Sequence, residues 1–166
     1  MSSFIGRKEY IELLEMSNTY TYLGKKDEEA AILLQKNLLY NVAVYMYIQS
    51  MEKKIKGCIC KKINVSLPYY ADKLRNIGHS LDKSIDFLIE ILAANNDVLT
   101  KQLSMQLKSG VFENIEFSKL YNNCRYPFYY HKRKNYSILN IDEKDCSRIA
   151  DISKKLDRFI NDFDRL

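Results

Sequence analysis

The sequence predicts an all-α protein, an up-and-down helical bundle of four main helices with one or two short ones. Three observations lead there. Only two prolines and five glycines are spread over 166 residues, with no low-complexity linker between them. The chain is rich in Leu, Ile, Lys and Glu, residues that cost little in a helix. Apolar residues recur at helical spacing in several long stretches, and nothing reads as a convincing strand pair. The length fits a single helical domain over residues 1–166, large enough to bury about 68–70% of its unfolded surface. There is no internal repeat.

Residues 10–23 read as the first helix, with Tyr10, Leu13, Leu14, Tyr20 and Leu23 on its inner face and Gly24 ending it. Asp27, Glu28 and Glu29 then place acids in the first turn of a second helix, where the dipole favours them. That helix runs to about Lys56. Its middle, residues 38–48, is apolar almost all round and interrupted by Asn41. Such a helix is either central in its bundle or covered by a partner chain, and the second option is an expected homodimer. Residues 57–67 form a basic connection.

Pro68 opens a third helix running to about Asn95, with Leu74, Ile77, Leu81, Ile85, Leu88 and Leu92 as its core stripe. Shorter helices are predicted over residues 98–108 and 113–122. Residues 123–141 read as a loop full of tyrosine and basic residues. Asn140 or Asp142 can cap a last helix to about Phe163, with Cys146, Ile149, Ile152, Leu156, Phe159, Ile160 and Phe163 turned inward.

Residues 1–7 lack the basic start and apolar stretch of a signal peptide. The longest apolar run is far short of the roughly 20 residues that span a bilayer. A cytoplasmic, non-membrane protein is expected, with its four cysteines as free thiols. Cys58 and Cys60 lack the second close pair that a structural zinc needs, so no metal is expected. No Gly-rich phosphate loop, HExxH or GxSxG occurs, which leaves classical nucleotide hydrolysis and metalloprotease chemistry unsupported, and no cofactor is implied.

The net charge of +5 is uneven. Residues 51–75 hold seven Lys/Arg and two acids, and residues 117–141 hold five Lys/Arg and no acid. Two basic zones on an otherwise acidic body suit a polyanion such as RNA or a nucleotide. The alternative is that the lysines solvate helix ends and loops.

Both histidines follow an arginine at close range: Arg75 with His79, and Arg125 with His131. Histidine titrates near neutrality and arginine grips phosphate, so these four are the candidate catalytic residues for phosphodiester chemistry. On a continuous helix Arg75, His79, Asp82 and Asp86 share one stripe turned from the apolar face, with Asp82 placed to orient the imidazole. The other reading is an ordinary charged helix face. Around the second pair, Tyr126, Tyr129, Tyr130, Lys132, Arg133 and Lys134 form a candidate nucleic-acid-binding set, since cations hold phosphates while aromatic faces stack on bases. Alternatively the tyrosines pack on the bundle and the lysines stay wet.

Three stretches resemble the HEPN family (higher eukaryote and prokaryote nucleotide-binding domains). The opening, Leu13-Leu14 through Gly24 and then Glu29-Ala30-Ala31-Ile32-Leu33-Leu34-Gln35, is similar to the family's first helices. Leu74-Arg75-Asn76-Ile77-Gly78-His79-Ser80-Leu81 resembles its "GHDL" stretch, and Arg125-Tyr126-Pro127 its "RYP" segment. The resemblance implies a helical bundle, commonly dimeric, acting on or binding RNA or nucleotides. Many members are metal-independent ribonucleases of toxin–antitoxin or phage-defence systems, with an arginine and a histidine separated by four to six residues. Others are non-enzymatic partners of nucleotidyltransferases. Here the intervening residues number three between Arg75 and His79 and five between Arg125 and His131. The resemblance therefore implies either an endoribonuclease or a binding module that assembles with a cognate nucleotidyltransferase or antitoxin.

Overall fold

The computed structural model describes residues 15–163. They form seven α-helices, a π-helix and one two-stranded hairpin. Helices α1 (Met16–Lys36) and α2 (Tyr40–Lys62) pack antiparallel. Gly24 does not end a helix, because α1 runs straight through it and the break falls at residues 37–39. The reason is packing. A Cβ on Gly24 would lie 3.0 Å from the Ser50 carbonyl oxygen, and one on Gly57 would lie 2.6 Å from Thr21 Oγ1 and 3.1 Å from the Ser17 carbonyl oxygen. The buried residues of α1 are Ser17, Gly24 and Ala31. Ala43, Ser50 and Gly57 repeat the same seven-residue interval on α2, all buried. Small residues thus meet small residues along the seam, and Ser17 Oγ donates to the Gly57 carbonyl at 2.9 Å.

This seam corrects the predicted inner face of the first helix. Tyr10, Leu13 and Leu14 lie outside the described residues. Tyr20 is half-buried and Leu23 is exposed, since it is small side chains that face α2. The second helix begins at Tyr40 rather than near Asp27, after a turn in which Leu38 takes φ of 62°. Helix α2 is central: α1, α4, α6 and α7 all pack on it. Of the apolar run over residues 38–48, Ala43, Val44, Tyr47 and Ile48 are buried within one chain, whereas Leu38, Leu39 and Val42 stay exposed.

The predicted third helix is two, α3 (Pro68–Ile77) and α4 (Leu81–Ala93). Gly78 breaks them with φ 58° and ψ −132°, a conformation that side chains forbid. Ser80 then caps α4, accepting from Lys83 N at 3.2 Å. The apolar spacing continues across the break, so Leu74, Ile77, Leu81, Ile85 and Leu88 are all buried and Leu92 partly so. Next come α5 (Asp97–Ser104), a π-helix (Met105–Val111) and α6 (Phe117–Asn123).

The region predicted as loop holds strands β1 (Phe128–Tyr130) and β2 (Asn135–Ser137), antiparallel with Tyr129 opposite Tyr136. Strands of three residues are too short for alternation to reveal them. The last helix, α7 (Glu143–Phe163), starts as expected, with Asp142 Oδ1 accepting from Asp145 N at 2.8 Å. Cys146, Ile149, Ile152 and Leu156 are buried in the core, and Phe159 and Ile160 pack against it. The all-α expectation holds apart from the hairpin.

One buried lysine ties α1, α2 and α7 together. Lys54 Nζ lies 2.8 Å from Glu28 Oε2 and 2.8 Å from Asp157 Oδ1, and Ser153 Oγ donates to Glu28 Oε1 at 2.8 Å. Burial works to raise the Glu28 pKa, but the hydrogen bonds from Lys54 and Ser153 outweigh it and hold the carboxyl below the usual range.

Gly57→Ala gains up to about 1 kcal/mol of helix propensity but forces the seam apart. The expected net loss is about 1–3 kcal/mol in urea denaturation, and a gain would refute the close approach. Because Glu28 titrates lower folded than unfolded, its stabilisation is complete above the unfolded pKa and is lost as pH falls through the folded one. The urea midpoint of the wild type should fall further than that of Glu28→Gln between about pH 6 and about pH 3.

Candidate functional site on the polar stripe of helix α2

Asn41, Tyr45, Gln49, Glu52 and Lys56 interrupt the apolar surface of α2 at intervals of four, four, three and four residues, so they share one face of the helix. Helical geometry turns that face roughly 140° from the small-residue seam. The stripe is covered by the turn after α3, by α6 and by the segment that follows β2.

Glu52 and Lys56 are buried at 2% and 5% exposure. Lys56 Nζ donates to Glu52 Oε1 at 2.6 Å and also to the Gly78 carbonyl. That second bond anchors the Gly78 turn to α2. It brings the exposed His79 ring over the stripe, with Nδ1 3.8 Å from Glu52 Oε1. Glu52 Oε2 is buried without a hydrogen-bond partner. At 3.8 Å the solvent-open imidazole is not hydrogen-bonded to the carboxylate, whose nearer oxygen is taken by Lys56, so the carboxylate bears on the ring by proximity of charge.

Further along the stripe, Gln49 Nε2 donates to the Tyr121 hydroxyl at 2.9 Å, and Arg125 Nη1 donates to the same oxygen at 3.2 Å. Burial, then the adjacent Tyr45 hydroxyl, pushes the Tyr121 pKa up to about 12, so its phenol stays protonated at neutral pH. The Arg125 guanidinium lies over three rings, 4.9 Å from Tyr45, 5.1 Å from Tyr121 and 4.9 Å from Tyr126. The cage fixes the cation while leaving the residue exposed. At the start of the stripe Asn41 grips the backbone after the hairpin: Nδ2 donates to the Leu139 carbonyl at 2.7 Å and Oδ1 accepts from Ile141 N at 3.0 Å.

The predicted site residues are therefore not brought together as pairs. The guanidinium of Arg75 pairs with Asp72, one turn back on α3. Asp82 does not orient His79. Its carboxylate accepts from Phe117 N at 3.2 Å, Ser118 N at 2.7 Å and Ser118 Oγ at 2.6 Å, so it caps α6. The stripe predicted for Arg75, His79, Asp82 and Asp86 fails because Gly78 ends the helix between them. Arg125 follows α6, whereas His131 sits past β1 in the hairpin turn, its ring edge-on to Tyr129 at 5.0 Å. Tyr126, Tyr129, Tyr130, Lys132, Arg133 and Lys134 are all exposed on or beside that hairpin. Burial pushes the thiols of Cys60, Cys124 and Cys146 up to about 11, which favours the protonated thiol at neutral pH.

Sequence reasoning missed Glu52, Lys56, Gln49 and Tyr121. The available signal was a set of polar residues recurring at helical spacing inside a central helix. No family model, no curated protein and no solved structure matches the chain. No helix among the described residues is long and apolar enough to cross a membrane.

Removing one member of the buried pair leaves the other charge uncompensated. Lys56→Met should cost about 3–5 kcal/mol in chemical denaturation. The double variant Glu52→Leu/Lys56→Met should recover most of that loss. A double variant as unstable as the single one would mean that Lys56 acts through packing.

Proposed function

We propose that this chain is a HEPN-like protein directed at RNA, and that its reactive centre is Glu52, Lys56 and His79 with Arg125 as the anion contact. The observation that carries the reading is the exposed His79 imidazole set 3.8 Å from a buried carboxylate whose other oxygen has no partner. In this reading His79 takes the proton of a ribose 2′-hydroxyl as that oxygen attacks the adjacent phosphorus. The bond to the 5′-oxygen breaks, and that oxygen is reprotonated by water. Arg125 holds a neighbouring phosphate of the same strand. Lys56 and Glu52 hold the His79 turn in place.

A non-enzymatic binding module is the second reading. It is favoured by the engagement of Arg75 with Asp72 and by the separation of Arg125 from His131. In either case a homodimer is supported by Leu33, Leu38, Leu39 and Val42, which leave apolar side chains exposed around the turn between α1 and α2. Leu38 holds a left-handed conformation there that is costly for a leucine. An adjacent nucleotidyltransferase or antitoxin gene would place the protein in a toxin–antitoxin pair.

Purified protein incubated with labelled RNA in EDTA decides between the two. Cleavage that falls about 10²–10⁴-fold in His79→Ala and in Glu52→Gln supports the ribonuclease. Salt-dependent binding without turnover supports the module, and neither cleavage nor binding refutes both.

A further inference from the structure

The geometry points to the β1–β2 hairpin as an arm that takes single-stranded RNA, stacking bases on Tyr129 and Tyr136 while Arg125, Lys132, Arg133 and Lys134 hold the phosphates. The choice of RNA rests on the function proposed above, whereas the preference for a single strand rests on the hairpin itself.

Three features of the arm converge. The first is its outward face. Tyr129 and Tyr136 are cross-strand partners with ring centroids 5.6 Å apart, and they remain 44% and 73% exposed. The two rings meet edge-to-face at 72°, with His131 also edge-on to Tyr129, so both tyrosines reach solvent and Tyr136 offers the more open ring. Stacking on such rings requires bases splayed from a duplex, so the ligand is single-stranded.

The second feature is charge. Lys54, Lys73, Lys108, Arg148 and Lys155 on the rest of the body each engage a carboxylate, and described body cations that do not, such as Lys36, Lys83 and Lys101, stand singly, whereas residues 132–134 are three cations in succession. Among the described residues no carboxylate pairs with Arg125, Lys132, Arg133 or Lys134, and residues 117–141 contain no acid at all. A run of cations left without counter-charge beside exposed rings is complementary to a polyanion that also carries bases.

The third is anchorage. Asn41 grips the strand leaving the hairpin and Tyr45 packs on Arg125 at its entry. These residues are one turn apart on α2, so both legs of the arm are fixed to a single turn of the central helix. The arm is short and held at its base, which limits the ordering cost on binding.

The test is fluorescence anisotropy with a labelled single-stranded RNA oligonucleotide, its duplex, the matching single-stranded DNA, and anionic phospholipid vesicles. Single-stranded RNA should bind more tightly than its duplex. Its affinity should fall with salt at a log–log slope of about −0.7 per phosphate held, and Lys132→Ser/Arg133→Ser/Lys134→Ser should flatten that slope by about 2. Tyr129→Ala should weaken binding roughly 5- to 150-fold, while Tyr129→Phe, which keeps the ring, should bind like the wild type. Duplex bound as well as single strand, vesicles bound in place of RNA, or unchanged affinity in both the triple variant and Tyr129→Ala would overturn the proposal. Tighter binding to DNA than to RNA would overturn its choice of RNA. His79→Ala and Glu52→Gln should still bind RNA. Hairpin-dependent binding without cleavage defeats the ribonuclease and leaves the arm standing, whereas cleavage indifferent to the hairpin variants defeats the arm alone.

Discussion

The close approach of α1 and α2 is the constraint on which the rest of the structure depends. It exists because three small residues on each helix recur every seventh position and face one another: Ser17, Gly24 and Ala31 against Ala43, Ser50 and Gly57. A seam without large side chains leaves those of α2 free to point elsewhere. Val44, Met51 and Ile55 are fully buried, in a core shared with Leu88 of α4 and Leu156 of α7. One helix consequently supplies the centre of the bundle, and its remaining face, turned well away from α1, becomes the floor of the candidate site.

That floor carries charge where apolar residues would serve stability as well or better. Replacing a buried ion pair by hydrophobic residues of similar volume is often neutral or stabilising. A Glu52–Lys56 pair at the centre of the fold, with one carboxylate oxygen lacking a partner, is therefore poorly explained by stability alone. Its geometric effect is specific: through the Gly78 carbonyl it fixes a turn that only glycine can make, and that turn presents His79. Asp82 secures the other side by capping α6, and α6 in turn brings Tyr121 and Arg125 to the same stripe.

What the sequence revealed and what it hid follow one physical rule. Periodic burial was legible. The stripe from Leu74 to Leu88 and the inward residues of α7 are where spacing placed them, because each side chain's fate depends on its own helix. Features set by a second element were not legible. Gly24 reads equally well as a helix stop or as a close-contact residue, and only α2 decides between them. Gly78 interrupts a stripe whose spacing survives the interruption, so the Arg75–His79 helix face looked real and was not. Glu52 looked like one more charge in a basic stretch until the fold buried it. The tyrosine-rich region read equally well as exposed or as packed on the bundle, and its pairing was hidden, since three-residue strands carry too little pattern.

The length of the polar stripe sets the distance between the hairpin and the His79 turn, and that distance bears on what kind of ligand could engage both. Fifteen residues separate Asn41, at the base of the hairpin, from Lys56, beneath the His79 turn, which is about 22 Å along a helix rising 1.5 Å per residue. A mononucleotide cannot reach from one end to the other. A stacked strand advancing about 3.4 Å per nucleotide covers that distance in roughly six. If the hairpin and the His79 turn act on one molecule, that molecule is a polymer, held at the arm while a phosphodiester several nucleotides away lies beside His79. Arg125, caged by tyrosines partway along the stripe and without a carboxylate of its own, sits where the intervening phosphates would pass. The polar residues of α2 are themselves covered, so they would set the positions of a gripping end and a reacting end while the strand ran over the elements they anchor.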